Sequence, residues 1–308
     1  MTKIAISLFK LYDRKRGRVL GLHLRYYQRL SIIGFLFTAP VLLFFLIFSV
    51  YPMLSAFYYS FTDYDLVSPP VLVGLQNYRN LLTDTDFKQA IGVTLRYTFI
   101  FSPLCLIISF LVASSLKDDF KGRDFFRVLF FTPTVLSTIG LATAWRIMLG
   151  REGAVNAVLG LSIPWLTDTR YALLGIIMMS LWQQSGYYIM IFLVGLQSIP
   201  NEYYDAAKVD GAGTWAITRW ITLPLMRPTF ALLTIITIIQ CVKVFTPMYI
   251  MTSGGPAFST RPAVMLVYQN GFKFWKMGLA STMSVVLFIA MLILTIFQLR
   301  LFRIGGEV

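Results

Sequence analysis

Apolar residues in this 308-residue chain come in long runs instead of narrow stripes. Six such runs, at about 31–51, 93–116, 125–149, 171–196, 228–250 and 277–302, carry few charges. At about 1.5 Å per residue, each is long enough to cross a hydrocarbon layer of roughly 30 Å. A run in that environment must be helical, because lipid offers no partner to backbone N–H and C=O groups. The alternating polarity of membrane-barrel strands is absent. The pattern therefore predicts an all-α integral membrane protein with six transmembrane helices over 31–302, after a segment 1–30 and before a tail 303–308.

The polar stretches between the runs differ in kind. Segment 62–92 holds Asp63, Asp65, Asp84 and Asp86, with turns at Pro69-Pro70 and Gly74 and a short helix expected over 77–82. Segment 251–276 opens on Thr252-Ser253-Gly254-Gly255-Pro256. Segment 198–227 reads as two short helices. Ser198 is the expected cap of the first, Pro200 and Glu202 fall in its opening turn, and Ala206 and Ala207 favour its continuation. Asp210-Gly211 is its expected end. Thr214 is the expected cap of a second helix over 214–220, which Leu223-Pro224 should break. Small alanines admit a close partner surface, and Glu202, Asp205, Lys208 and Asp210 offer polar contacts. A connector lying along the membrane surface would need only an apolar face.

Composition agrees with the runs: 57% of residues are hydrophobic and 13% charged, against about 25% charged in soluble chains. The net charge of +13 does not mark a nucleic-acid binder, because its distribution follows the runs. Seventeen basic residues lie in segment 1–30, the even-numbered loops and the tail, against nine in the odd-numbered loops. Positive residues stay on the cytoplasmic side, so both termini and loop 198–227 are expected there, and 62–92 and 251–276 outside. The basic start is read as an orientation signal against anionic lipid, and its first run is too long for a cleavable signal peptide.

Catalytic chemistry finds little support. Cys105 and Cys241 fall inside runs without metal or redox spacing, and His23 stands alone in the basic segment. No Gly-rich phosphate loop ending in Lys-Ser/Thr occurs. Polar residues inside the runs are the better candidates, since they are costly there. They are Thr134 and Thr138 near Pro133; Gln183, Gln184 and Tyr187; and Gln240 and Lys243. Amides, hydroxyls and aromatic faces suit a sugar. Each glutamine could equally serve an interhelical hydrogen bond, and Lys243 could snorkel or meet an anion.

Asp205-Ala206-Ala207, Gly211 and Ile221-Thr222-Leu223-Pro224 match the signature loop of permease subunits of binding-protein-dependent ABC importers, with Asp205 where that family usually has Glu. Gly74-Leu75-Gln76-Asn77-Tyr78, Pro133, Trp165-Leu166-Thr167-Asp168, Gly195-Leu196-Gln197-Ser198-Ile199-Pro200 and Thr252-Ser253-Gly254-Gly255-Pro256 follow in the matching order. The chain resembles the carbohydrate-uptake, maltose-type branch over nearly its whole length.

The resemblance implies a type I ABC importer permease fold in a bacterial or archaeal cytoplasmic membrane. It implies a second permease subunit forming a heterodimer, two ATP-binding subunits that hold ATP and magnesium, and an extracytoplasmic solute-binding protein; this chain itself would hold no cofactor. It further implies that Glu202, Asp205, Ala206, Ala207, Lys208, Asp210, Gly211, Leu223 and Pro224 couple to the ATPase. Sugar contacts would come from Thr134, Thr138, Gln183, Gln184, Tyr187, Gln240 and Lys243. The rivals are the same machinery carrying glycerol phosphate, an ATP-independent secondary transporter, for which ion-coupling acids within the runs are lacking, and a membrane enzyme.

Overall fold

The computed structural model describes residues 26–302, which fall into two compact units, 26–55 and 56–302. The orientation signal expected before residue 26, His23 and the tail after Phe302 lie outside the described residues.

In the first unit α1 (Tyr26–Phe45) contains Pro40 and runs into a π turn, Leu46–Val50, and then α2 (Tyr51–Tyr59). The apolar helix Ile33–Tyr59 is longer than the run 31–51 suggested. The π turn has a local cause. Pro52 has no N–H to give to the carbonyl one turn back, and the wider turn immediately before it bonds Tyr51 N–H to Leu46 O instead.

The second unit opens on the last residues of α2 and continues with a two-stranded antiparallel ribbon, β1 (Thr62–Asp63) and β2 (Val71–Leu72), followed by α3 (Gln76–Thr83), the short helix anticipated from the sequence. Helix α4 (Thr85–Ser115) starts eight residues before the run that announced it, with the Asp84 carboxylate accepting the Phe87 N–H at 2.9 Å. Its buried side is a stripe at three- and four-residue steps that includes Ala90, Thr94, Thr98, Ser102, Cys105, Ser109 and Ala113. Small residues in such a column let helices approach closely in a membrane.

The later part of the column packs on α8 (Ala172–Gln197), where the Ser109 hydroxyl donates to the Ser185 carbonyl at 3.3 Å, while Thr94 near its start accepts the Ala263 N–H at 3.0 Å. Together with α12 (Arg227–Val242), these helices bury Tyr97, Phe101, Ile176, Tyr188, Phe192 and Leu233. Phe192 and Phe230 pack at 4.8 Å and Phe110 and Phe192 at 5.6 Å, closing the core toward the basic side. Both cysteines are buried and unpaired in this core.

Two runs are not the continuous spans they promised. The run 125–149 is α5 (Arg123–Val135) and α6 (Thr138–Met148), meeting at 97° across Leu136-Ser137. Pro133 does not break the helix at its own position; the chain turns three residues later, where Leu136 and Ser137 are extended. The run 228–250 is likewise interrupted: α12 stops at Val242, and after Lys243-Val244-Phe245 a separate helix α13 (Thr246–Thr252) starts with Pro247 in its first turn. Among the described residues four helices are long and apolar enough to span alone, and the total reaches six when α5 with α6, and the helical stretch 214–225 with α12, each count as one bent span.

Between α6 and α8 lies a short helix, α7 (Ala154–Leu159). After α8 come α9 (Asn201–Val209), α10 (Thr214–Ile217), a π turn Thr218–Thr222 and α11 (Leu223–Leu225), which bends by 67° into α12. Half of segment 251–276 is helical, with α14 (Ala263–Tyr268) and a third π turn, Gln269–Lys273, before α15 (Met277–Phe302). In that segment the nearly buried Arg261 reaches Asp86 at 3.0 Å, tying it to the start of α4.

Candidate functional site

The interruptions in the two spans converge. Thr134 and Thr138 flank the α5/α6 break, while Lys243, Val244, Phe245, Thr246 and Pro247 form the α12/α13 break. With Gln183, Gln184 and Gln240 these residues line one groove of about 290 Å³, and α6 packs on α13 beside it. Irregular backbone at membrane depth is tolerated where it lines a cavity, and broken helices of this kind supply transporter binding sites. Of the seven pathway residues expected from the sequence, six line the groove. Tyr187 does not; it is exposed and stands edge-on to Tyr188 at 5.3 Å.

The polar groups divide into two sets. Buried Gln183 is a brace: its Nε2 donates to Thr138 Oγ1 at 2.9 Å and to the Leu136 carbonyl at 3.3 Å, a carbonyl that the α5/α6 break leaves without a helical donor. Thr134 Oγ1 donates to the Gln183 carbonyl at 2.9 Å. Three hydrogen bonds thus hold the bend to α8, and Gln183 is less available to a solute than its position suggested. Gln184, Gln240 and Lys243 carry no side-chain hydrogen bond among the described residues and face the groove.

Gly186, which the sequence did not single out, makes this geometry possible. A Cβ there would meet the Phe130 carbonyl oxygen at 2.2 Å and Thr134 Oγ1 at 2.7 Å. An intramembrane glycine is too common to have drawn notice by itself.

A second candidate surface lies on loop 198–227. The cap of its helix α9 lies two residues later than Ser198: Pro200 is the N-cap, and the Ser198 hydroxyl instead donates to Gly195 O at 2.7 Å, finishing α8. The expected end is present, with Gly211 at φ +78°, Ala212 N–H donating to Ala207 O at 2.9 Å and Gly211 N–H to Lys208 O at 3.0 Å. This pair of bonds is a Schellman closure, which needs a left-handed residue at Gly211. Thr214 is the first residue of α10 and not its cap, which is Gly213. Leu223-Pro224 does not end the second helix either. The π turn before Pro224, with Leu223 N–H on Thr218 O, absorbs the proline, and the bend comes at Met226.

The faces of α9 have different duties. Tyr204 and Ala207 point inward and are buried; Tyr204 lies under Lys117 Nζ, 3.3 Å from the ring centroid, and its hydroxyl is 3.4 Å from Thr222 Oγ1. Ala207 therefore serves its own chain's packing and is not part of an outward contact surface. Tyr203, Ala206, Val209 and Asp210 are exposed, and so are Trp215, Trp220 and Pro224. Asp205 pairs with Lys208 at 3.6 Å, both largely exposed, and they edge a groove of about 510 Å³ with Lys117, Asp118 and Asn201. Lys117 and Asp118 were not anticipated, because they come from the turn after α4. Glu202 is exposed, and Leu223 is half-buried against the core.

On the opposite side the Trp165–Asp168 motif is organised by hydrogen bonds. Trp165 Nε1 donates to Asn156 Oδ1 at 3.0 Å, and Asn156 Nδ2 donates to Ile163 O at 2.9 Å. The Arg170 side chain and then its backbone N–H donate to Asp168, holding that carboxyl at about 2. Backbone N–H groups of Ser68 and Val67 lower Asp65 similarly.

Residues 19–304 match the family described as binding-protein-dependent transport system inner membrane component. The chain is 34% identical over 275 residues to the probable ABC transporter permease protein YesP of Bacillus subtilis, covering 86% of this chain and 89% of that one. It is 30% identical over 277 residues to the trehalose/maltose transport system permease protein MalF of Thermococcus litoralis, covering 88% and 94%. Against the multiple sugar-binding transport system permease protein MsmF of Streptococcus mutans it is 32% identical over 273 residues, covering 87% and 94%. A crystal structure of a bacterial ABC transporter involved in the import of the acidic polysaccharide alginate contains a chain of the same fold, with TM-score 0.81 at 21% identity over 91% of this chain and 98% of that one.

Proposed function

This chain belongs to the binding-protein-dependent transport system inner membrane components, and from that premise we propose that it forms part of the path by which a sugar or oligosaccharide enters the cell. It is a multi-pass permease subunit of an ABC importer, a transport component and not an enzyme. The observation that carries the sugar reading is the groove where two broken spans meet, with Gln184 and Gln240 presenting unspent amides beside Thr246 and Phe245. Paired donors and acceptors are what hydroxyl-rich solutes require. The relatives above, a trehalose/maltose and a multiple sugar-binding transport permease, point the same way and away from glycerol phosphate.

Assembly extends the proposal. A second permease subunit completes the groove, an extracytoplasmic binding protein delivers the solute, and two ATPase subunits, which bind ATP and magnesium, seat the exposed face of α9. Closure of the ATPases draws the α9 helices together, and the spans rock between inward and outward access. Asp205, partnered among the described residues only by exposed Lys208, is free to exchange that pairing for a basic group on the ATPase.

The test is uptake of labelled oligosaccharides by cells lacking the gene and complemented with variants. Paired Gln184→Leu and Gln240→Leu should reduce uptake at least about tenfold while the ATPase still co-purifies, since a site built to hydrogen-bond a solute fails when its donors are removed. Unchanged uptake of every saccharide tried would overturn the sugar assignment.

A further inference from the structure

The groove carries a charge that a neutral sugar does not need. Lys243 follows the last residue of α12 and its exposed side chain lines the groove with Gln184, Gln240, Thr138 and Thr246. Among the described residues no carboxylate lines this groove. The ion pairs found involve Asp86, Asp119, Asp124, Asp168 and Asp205, none of them with Lys243. Backbone poles do not cancel the charge. The carbonyl end of α12 sets roughly half a negative charge beside Lys243, and the amino end of α6 at Thr138, whose Ser137 makes no capping bond, sets roughly half a positive one at the same groove. The net is close to one positive charge at membrane depth, where an ammonium without a counter-ion is unfavourable.

We propose that the transported saccharide is acidic, with a carboxylate that pairs with Lys243 while Gln184 and Gln240 bind its hydroxyls. This rests on the sugar reading above and narrows it. A single lysine without an arginine fork suits a monoanionic uronate better than a phosphate, which carries up to about two charges and calls for more donors. Two plainer roles compete with it. Lys243 could serve only to neutralise the carbonyl end of α12, or it could pair with a carboxylate of the second permease subunit.

Equilibrium binding to the purified permease–ATPase complex in nanodiscs, without the binding protein and its own selectivity, separates these. The probes are trisaccharides of galacturonate, mannuronate and glucuronate, each beside its carboxyl-reduced neutral counterpart. At least one acidic probe should bind about tenfold tighter than its neutral twin, with the advantage shrinking in high salt. Lys243→Gln should erase that advantage, so that the acidic probe and its neutral twin bind equally, and Lys243→Arg should keep most of it. Equal affinity within every pair, or no binding of any acidic probe, overturns the proposal. So does a Lys243→Gln variant that weakens both members alike or loses assembly, which would place the lysine with α12 or another subunit. If the acidic preference fails while the paired Gln184 and Gln240 substitutions still abolish neutral-sugar uptake, the sugar reading stands and only this inference falls.

Discussion

The mid-depth groove and the loop on the basic side both present free polar groups from a braced scaffold, but they are assembled differently. In the groove, contributions come from α5, α6, α8, α12 and the start of α13, more than a hundred residues apart in sequence, and the braces are side-chain hydrogen bonds that tie the α5/α6 bend to Gln183 of α8. In the loop, bracing and presentation alternate along one nine-residue helix: Tyr204 and Ala207 turn inward while Tyr203, Ala206 and Val209 turn outward. A site made by convergence depends on the packing distances that bring its parts together. A site made on one helix depends on where that helix begins and ends.

The sharpest way to break the first half of that contrast is at Gly186. Gly186→Val should force α5 away from α8, since even a Cβ meets backbone at 2.2 Å. Overpacking of this kind costs about 1–3 kcal/mol, read as a lower melting temperature of the purified complex and loss of uptake. Gly140→Ala, with nothing within 4 Å, should leave both unchanged.

Next comes the division of labour between the neighbouring glutamines. Gln183→Leu should lower thermal stability by roughly 1–3 kcal/mol, because a buried brace and its carbonyl partner are both lost. Gln184→Leu should leave stability within about 0.5 kcal/mol and reduce uptake instead. Equal effects on stability would erase the distinction between bracing and presenting groups.

For the loop, Gly211→Ala should cost about 1 kcal/mol, the penalty of a side chain at φ +78°. It should weaken ATPase co-purification by loosening the end of α9, and substitution at exposed Val209 should do so without loss of stability.

The smallest effect expected lies outside the membrane. Asp168, held at about 2 by Arg170, orders its loop fully above the ordinary carboxylate value near 3.9. That contribution is lost as pH falls through about 2. Protease protection of the loop in the native protein should fall across this window, and Asp168→Asn should flatten the dependence.

These contrasts also explain what was legible in the sequence. Loop 198–227 could be read because its determinants are local: Gly211 closes α9 as its spacing suggested, and the outward polar residues follow helical period. Its starting point could not, because Ser198 had two helices to serve and the hydrogen bond to Gly195 at the end of α8 won. The apolar runs announced the spans but concealed their bends. Hydropathy averaged over a run does not register that Leu136-Ser137 turn by 97°, and Lys243, the one charge in its run, reads as a costly side chain and not as the place where α12 stops. Gln183 and Gln184 looked alike as neighbours. Only the position of the Leu136 carbonyl and Thr138 makes one a brace and leaves the other free.

The most direct test of the central claim joins the two regions. The complete importer, reconstituted in liposomes with its binding protein, is assayed for ATP-driven saccharide accumulation with Ala206→Asp and Val209→Asp together on the exposed face of α9. If that face transmits the ATPase cycle to the groove, accumulation should fall to the ATP-free background while the purified permease keeps its melting temperature. Undiminished ATP-driven accumulation in this variant would contradict the assignment of α9 as the coupling element.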